Sequence, residues 1–122
     1  MKYKFYNANP LGRRVNDCTV RAISLATSKS WDETYEELSK FAQAQAIMLD
    51  EVNYIDEYLN RKFKKLPIRS GKMTVEDFVN ENSEGIFLIT MRGHITCCID
   101  GCIYDTFDPR ESLVWGAYLV KK

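Results

Sequence analysis

The sequence predicts an α+β domain in which helices come first and an antiparallel sheet follows. Three observations predict it. Up to Gly85 the apolar residues recur at helical spacing, beyond it they form short β-branched runs, and an Asp100-Gly101 pair separates two of those runs. Consecutive strands joined by hairpins pair antiparallel, which sets this order apart from an alternating strand–helix fold. A chain of 122 residues with no linker, repeat or low-complexity stretch reads as a single domain over residues 1–122.

Residues 1–12 mix aromatics with Asn, Pro and Gly and read as an ordered, extended lead-in. A helix is expected from Asn16 or Asp17, both good N-cap residues. It carries Cys18 in its first turn and, apart from Arg21 and two small hydroxyls, is apolar nearly all round, the pattern of a helix buried mid-domain. A second helix opens with a capping box, Ser30 and Glu33, and places Trp31, Tyr35, Leu38, Phe41 and Ala42 on one stripe. A third is expected over residues 51–59, with Val52, Ile55 and Leu59 on one face. Arg61, Lys62, Lys64 and Lys65 read as its solvated C-terminal end. A short fourth helix starts at Thr74, with Val75, Phe78 and Val79 as its apolar stripe. Strands over Ile86–Met91, His94–Ile99, residues 102–107 and residues 113–120 complete a four-stranded antiparallel sheet.

The two-residue Asp100-Gly101 turn fixes the register of its hairpin. Ile99 then faces Cys102, Cys98 faces Ile103, Cys97 faces Tyr104 and Thr96 faces Asp105. His94 and Asp105 become diagonal neighbours on one face, about 7–8 Å apart along the backbone, which their side chains can close with a hydrogen bond. Asp108 projects to the other face and is the weaker candidate for that role. The chain's one histidine therefore has a carboxylate that can orient it.

Cys18 gives that pair a use. A thiol at a helix N-terminus meets the positive end of the dipole and unpaired amide donors, both of which favour the thiolate. A nucleophilic cysteine needs a base, and the base needs an orienting group. Cys18, His94 and Asp105 supply the three residue types.

Other chemistries are excluded by composition or geometry. Lys plus Arg and Asp plus Glu both number 17, so the formal charge is zero and no nucleic-acid partner is expected. The N-terminus lacks the features of a signal peptide, and no apolar run approaches the roughly 20 residues of a membrane span. Cys97 and Cys98 are adjacent, with Cys102 nearby and Cys18 far upstream, which is not a disulfide framework; a cytoplasmic location with reduced thiols is expected. On a strand His94 and Cys98 lie about 13 Å apart, and Cys97 and Cys102 point the other way, so no metal site is expected. Neither a G-x-x-x-x-G-K nor a G-x-G-x-x-G phosphate loop occurs.

A helix-start Cys, a strand-start His and an Asp on the next strand, in that chain order, resemble the papain-like cysteine peptidase fold. In that family the nucleophilic Cys opens a central buried helix, the His starts a strand of the following antiparallel sheet, and an Asn or Asp on the next strand orients the His. NDCTVRAISLA looks like the first element, GHITCCIDG like the second and YDTFDP like the third. Phe107, two residues beyond Asp105, resembles the Trp that often shields the orienting hydrogen bond from water. The chain also resembles small papain-like proteins of bacteriophages and mobile elements.

The resemblance implies a papain-like domain, its N-terminal helices packed against a C-terminal antiparallel sheet. The implied activity is that of a cysteine peptidase or related hydrolase with a Cys18–His94–Asp105 triad, acting without a cofactor on an amide or thioester carbonyl of a protein or peptide substrate. The sequence departs from the family at one place. No Gln precedes Cys18, and Gly12 stands where the oxyanion-binding Gln is expected. Asn16, together with the Cys18 N–H, is the available substitute. Loss of one oxyanion donor typically costs about 10²–10³ in rate. The alternative reading is therefore a non-catalytic papain-like binding protein, such as an inhibitor of a host protein.

Overall fold

A computed structural model describes residues 2–49 and 53–122, which form four helices and a six-stranded mixed sheet. In chain order the elements are β1 (Tyr3–Phe5), α1 (Cys18–Thr27), α2 (Trp31–Ala44), α3 (Asn53–Lys62), β2 (Lys64–Lys65), α4 (Val75–Glu81), β3 (Ile86–Met91), β4 (His94–Ile99), β5 (Cys102–Asp105) and β6 (Gly116–Lys121). The strand order across the sheet is β1-β5-β4-β3-β6-β2.

Asp100 and Gly101 both adopt positive φ, 48° and 78°, the backbone of a type I′ turn. The β4–β5 register follows as expected: Ile99 opposite Cys102, Cys98 opposite Ile103 and Cys97 opposite Tyr104. The Asp100 carboxylate also accepts the Gly85 N–H at 2.9 Å, tying the turn to the start of β3. Met91 and His94 close a second two-residue hairpin over Arg92-Gly93.

Four features depart from the sequence expectation. First, the sheet has six strands and is mixed rather than four-stranded and antiparallel, because the lead-in supplies β1, which pairs parallel with β5 through Lys4–Tyr104 and Phe5–Asp105. A strand of three residues is too short to show a period of two. Second, Lys64 and Lys65 form an edge strand against β6 rather than a helix end; short, lysine-bearing edges discourage further pairing. Third, the strand expected over residues 102–107 ends at Asp105, and that expected over 113–120 begins at Gly116.

The fourth departure is that both faces of the sheet are covered. Val20, Ile23 and Ala26 of α1, Leu38 of α2 and Leu59 of α3 pack with Leu88, Ile95, Cys97 and Tyr118 on one face. On the other, Val75, Phe78 and Val79 of α4 pack with Phe87, Ile89, Cys98, Ile103 and Ala117. This explains why β3 reads Phe-Leu-Ile-Thr-Met without alternation: a strand buried on both sides has no polar face. Glu51 and Val52, with which the third helix is expected to begin, lie outside the described residues. Ile55 and Leu59 do join the core. Among the described residues no helix is long and apolar enough to cross a membrane.

Candidate active site

Cys18 is the first residue of α1 and is half-buried. Its N-cap is Asp17, yet the Asp17 side chain does not cap the helix. Two facts account for this. The Asp17 backbone, at φ −118° and ψ 24°, is not in the extended conformation a capping side chain uses. Its carboxylate is also engaged elsewhere: Oδ1 accepts Arg21 Nε at 2.7 Å, and Oδ2 accepts the Trp31 indole N–H at 3.0 Å and Asn9 Nδ2 at 3.1 Å. The first amides of α1 therefore have no side-chain acceptor, which leaves donors beside the Cys18 sulfur.

His94 starts β4, and Asp105 ends β5. His94 Nε2 and Asp105 Oδ2 are 2.7 Å apart. With Nε2 occupied, Nδ1 is the ring nitrogen left for the Cys18 sulfur, which lines the same groove as His94. The three residues expected to act together do come together. They meet where the β4–β5 ladder has stopped at Cys97–Tyr104, so the strand ends are free to turn toward the N-terminus of α1.

Asp105 is held from every side. Oδ1 accepts the Thr106 N–H at 2.7 Å and Arg21 Nη1 at 3.3 Å. Its carbonyl oxygen accepts the Tyr6 N–H at 2.9 Å and the Tyr3 hydroxyl at 3.2 Å. The carboxylate is 4% exposed and cannot rotate without breaking these bonds. Asp108, the other candidate, is paired instead with Arg110 through both carboxylate oxygens. Phe107 lies over the imidazole with ring centroids 4.7 Å apart and an interplanar angle of 45°. Its ring is half-exposed, so it covers His94 from the solvent side.

The electrostatics follow from these contacts. Burial raises the Cys18 thiol pKa, but the hydrogen bonding and charge of His94, the Ile95 backbone and the Arg21 charge together bring it below its ordinary value. Burial works against a charged His94, yet the bonds to Asp105 and Cys18 raise it to about 9. Burial likewise opposes the Asp105 carboxylate, and the His94 bond and charge hold it below the usual range. These directions favour a thiolate–imidazolium pair at neutral pH.

The other thiols differ. Burial drives Cys98 up to about 11 and Cys97 higher still. All four cysteines are free. Among the described residues no group of three or more His, Cys, Asp or Glu side chains is placed to hold a metal ion.

Asn16 is exposed on the wall of a groove of about 680 Å³ that runs past Cys18 and His94. Val15, Trp31, Met48, Met91 and Trp115 give the groove a largely apolar lining. Gly12 occupies a turn rather than a donor position: its φ is +65°, and the turn is built by Asn9 Oδ1 accepting the Leu11 and Arg13 N–H groups.

Two site residues escape a reading of the sequence alone. There Asp17 reads only as a cap and Arg21 only as the polar exception in an apolar helix. A signal for the second exists, since an arginine in a helix destined for the core must find a buried partner. No protein-family model, characterised protein or solved structure matches this chain.

Proposed function

We propose that this protein is a cysteine-dependent acyl-transfer enzyme of papain-like type, acting on an amide or thioester carbonyl of a protein or peptide. The observation that carries the reading is the placing of Cys18, His94 and Asp105 together: the helix-start thiol and the imidazole line one groove, and a clamped carboxylate holds the imidazole Nε2 at 2.7 Å. A nucleophile, its base and the base's orienting group in hydrogen-bond reach are the requirement for covalent catalysis.

In the proposed cycle, Cys18 Sγ attacks the carbonyl carbon as the thiolate. The oxyanion is met by the uncapped Cys18 N–H and by Asn16. Protonated His94 gives its proton to the leaving amine or thiol as that bond breaks, leaving a thioester on Cys18. Neutral His94 then takes a proton from water or an acceptor nucleophile, which attacks the thioester and restores the thiolate. Asp105 holds the ring with Nδ1 toward sulfur throughout. The reaction consumes no redox equivalent and requires no cofactor. A reducing setting such as the cytoplasm suits it, because the nucleophile must remain a free thiol.

The test is acylation by a small thioester, read by intact mass. The expected result is a stoichiometric acyl adduct that maps to Cys18 and turns over in the wild type, and that accumulates at least about tenfold more slowly in His94→Ala. A wild-type protein that takes no acyl group, while folded and with Cys18 accessible to alkylation, overturns the reading in favour of the non-catalytic binder.

A further inference from the structure

We propose that Arg21 is the positioning residue of this site: by bonding Asp17 and Asp105 at once it locks the start of α1 to the end of β5 and so sets Cys18 against His94. The inference rests on the acyl-transfer reading of the site.

The geometry is specific. Two nitrogens of the guanidinium divide the work, with Nε donating to Asp17 Oδ1 at 2.7 Å and Nη1 to Asp105 Oδ1 at 3.3 Å, while Nη1 also donates to Thr106 Oγ1 at 3.1 Å. The Arg21, Asp17 and Asp105 side chains are 12% or less exposed, so these bonds act in a poorly solvated space where they are strong and directional. Arg21 lies one turn beyond Cys18 on the same helix, and Asp105 is the partner of His94. The helix that carries the thiol is thus joined to the imidazole through Arg21 and the Asp105 carboxylate. A lysine keeps the charge but has no planar fork and cannot reproduce both contacts in one geometry.

Arg21 also decides what Asp17 does. A carboxylate at the N-cap ordinarily accepts the first amides of its helix. In this protein it is drawn onto the guanidinium and the Trp31 indole, and the amides beside Cys18 stay open for an oxyanion. The titratable groups around Arg21 are Asp17 and Cys18 on its own helix, His94 on β4, Tyr104 and Asp105 on β5, and Tyr6 beyond β1. Of these, Asp17 and Asp105 bond it directly.

The test compares Arg21→Lys and Arg21→Gln with the wild type, using the pH dependence of Cys18 alkylation and circular dichroism on the same samples. The expected result is a folded Arg21→Lys protein whose Cys18 midpoint moves up by about half to one pH unit, a three- to tenfold loss of thiolate at pH 6. Arg21→Gln moves it further. A purely structural role lowers the melting temperature and leaves the midpoint of the folded protein in place, which overturns the proposal.

A second measurement needs no variant. In the ¹⁵N-labelled wild type, the Arg21 Nε–H resonance should shift with the same midpoint as Cys18, and an unresponsive resonance overturns the proposal. A wild-type Cys18 with an ordinary midpoint near 8.5 would instead sink the acyl-transfer reading itself. A lowered wild-type midpoint that Arg21 variants do not move overturns the positioning role of Arg21 alone.

Discussion

Cys18 and the Cys97–Cys98 pair carry the same functional group in opposite surroundings. Cys97 and Cys98 sit mid-strand in β4, one on each face of the sheet, inside the two apolar cores. Burial pushes both thiols upward, and for Cys98 it outweighs the backbone hydrogen bonding of Gly101 and Cys102. Cys18 is also largely enclosed, and burial alone would push it the same way. It goes down because His94, by hydrogen bonding and by its charge, the Ile95 backbone and the Arg21 charge together outweigh burial. Burial does not decide the reactivity of these thiols; what they are buried against does.

That contrast can be broken most severely by labelling. At pH 6.5 iodoacetamide should modify Cys18 at least about 10²-fold faster than Cys97 or Cys98 in the folded protein, since rate follows thiolate fraction and access. Site-resolved mass spectrometry reads this directly, and comparable rates at the three sites would erase the distinction.

The next largest effect is expected at Asp105. Asp105→Asn can still bond the ring but holds it without the carboxylate charge, and should slow acylation of Cys18 by about 10²-fold or more. An effect within about twofold would mean that the clamped carboxylate is structural only.

A smaller effect, with a definite pH sign, concerns stability. His94 has its folded pKa raised to about 9 from an ordinary 6.5. Its contribution is therefore complete below pH 6.5 and fades as pH rises through about 9. The destabilisation caused by His94→Gln should be larger at pH 6 than at pH 10, by on the order of 1–2 kcal/mol. Urea unfolding at the two pH values measures it, and a pH-independent cost would deny the raised pKa.

The smallest effect should come from Asp108. Its pairing with Arg110 is at the surface, so Asp108→Asn should change stability by less than about 0.5 kcal/mol and leave Cys18 labelling untouched. A change in labelling would reassign the orienting carboxylate.

The sequence made the hairpin legible in detail, because Asp-Gly demands a type I′ turn and that turn leaves one register. It made the Cys18 helix and the His94–Asp105 neighbourhood legible for the same local reasons. It hid the parallel strand β1, whose three residues pair with a strand about 100 positions away. It also hid the network behind the site. Arg21 meets Asp105 across 84 residues of chain, and no local pattern encodes such a pairing. The Phe-Leu-Ile-Thr-Met run of β3 did carry the information that both sheet faces are covered, since it lacks a polar face.

The most direct test of the account is the pH dependence of Cys18 alkylation in the wild type beside His94→Ala, with circular dichroism to show that both are folded. The account predicts reactivity that persists well below pH 7 in the wild type and retreats toward a midpoint near 8.5 when His94 is removed. Coincident profiles for the two proteins, or a wild-type midpoint already near 8.5, would contradict the thiolate–imidazolium pair on which the account stands.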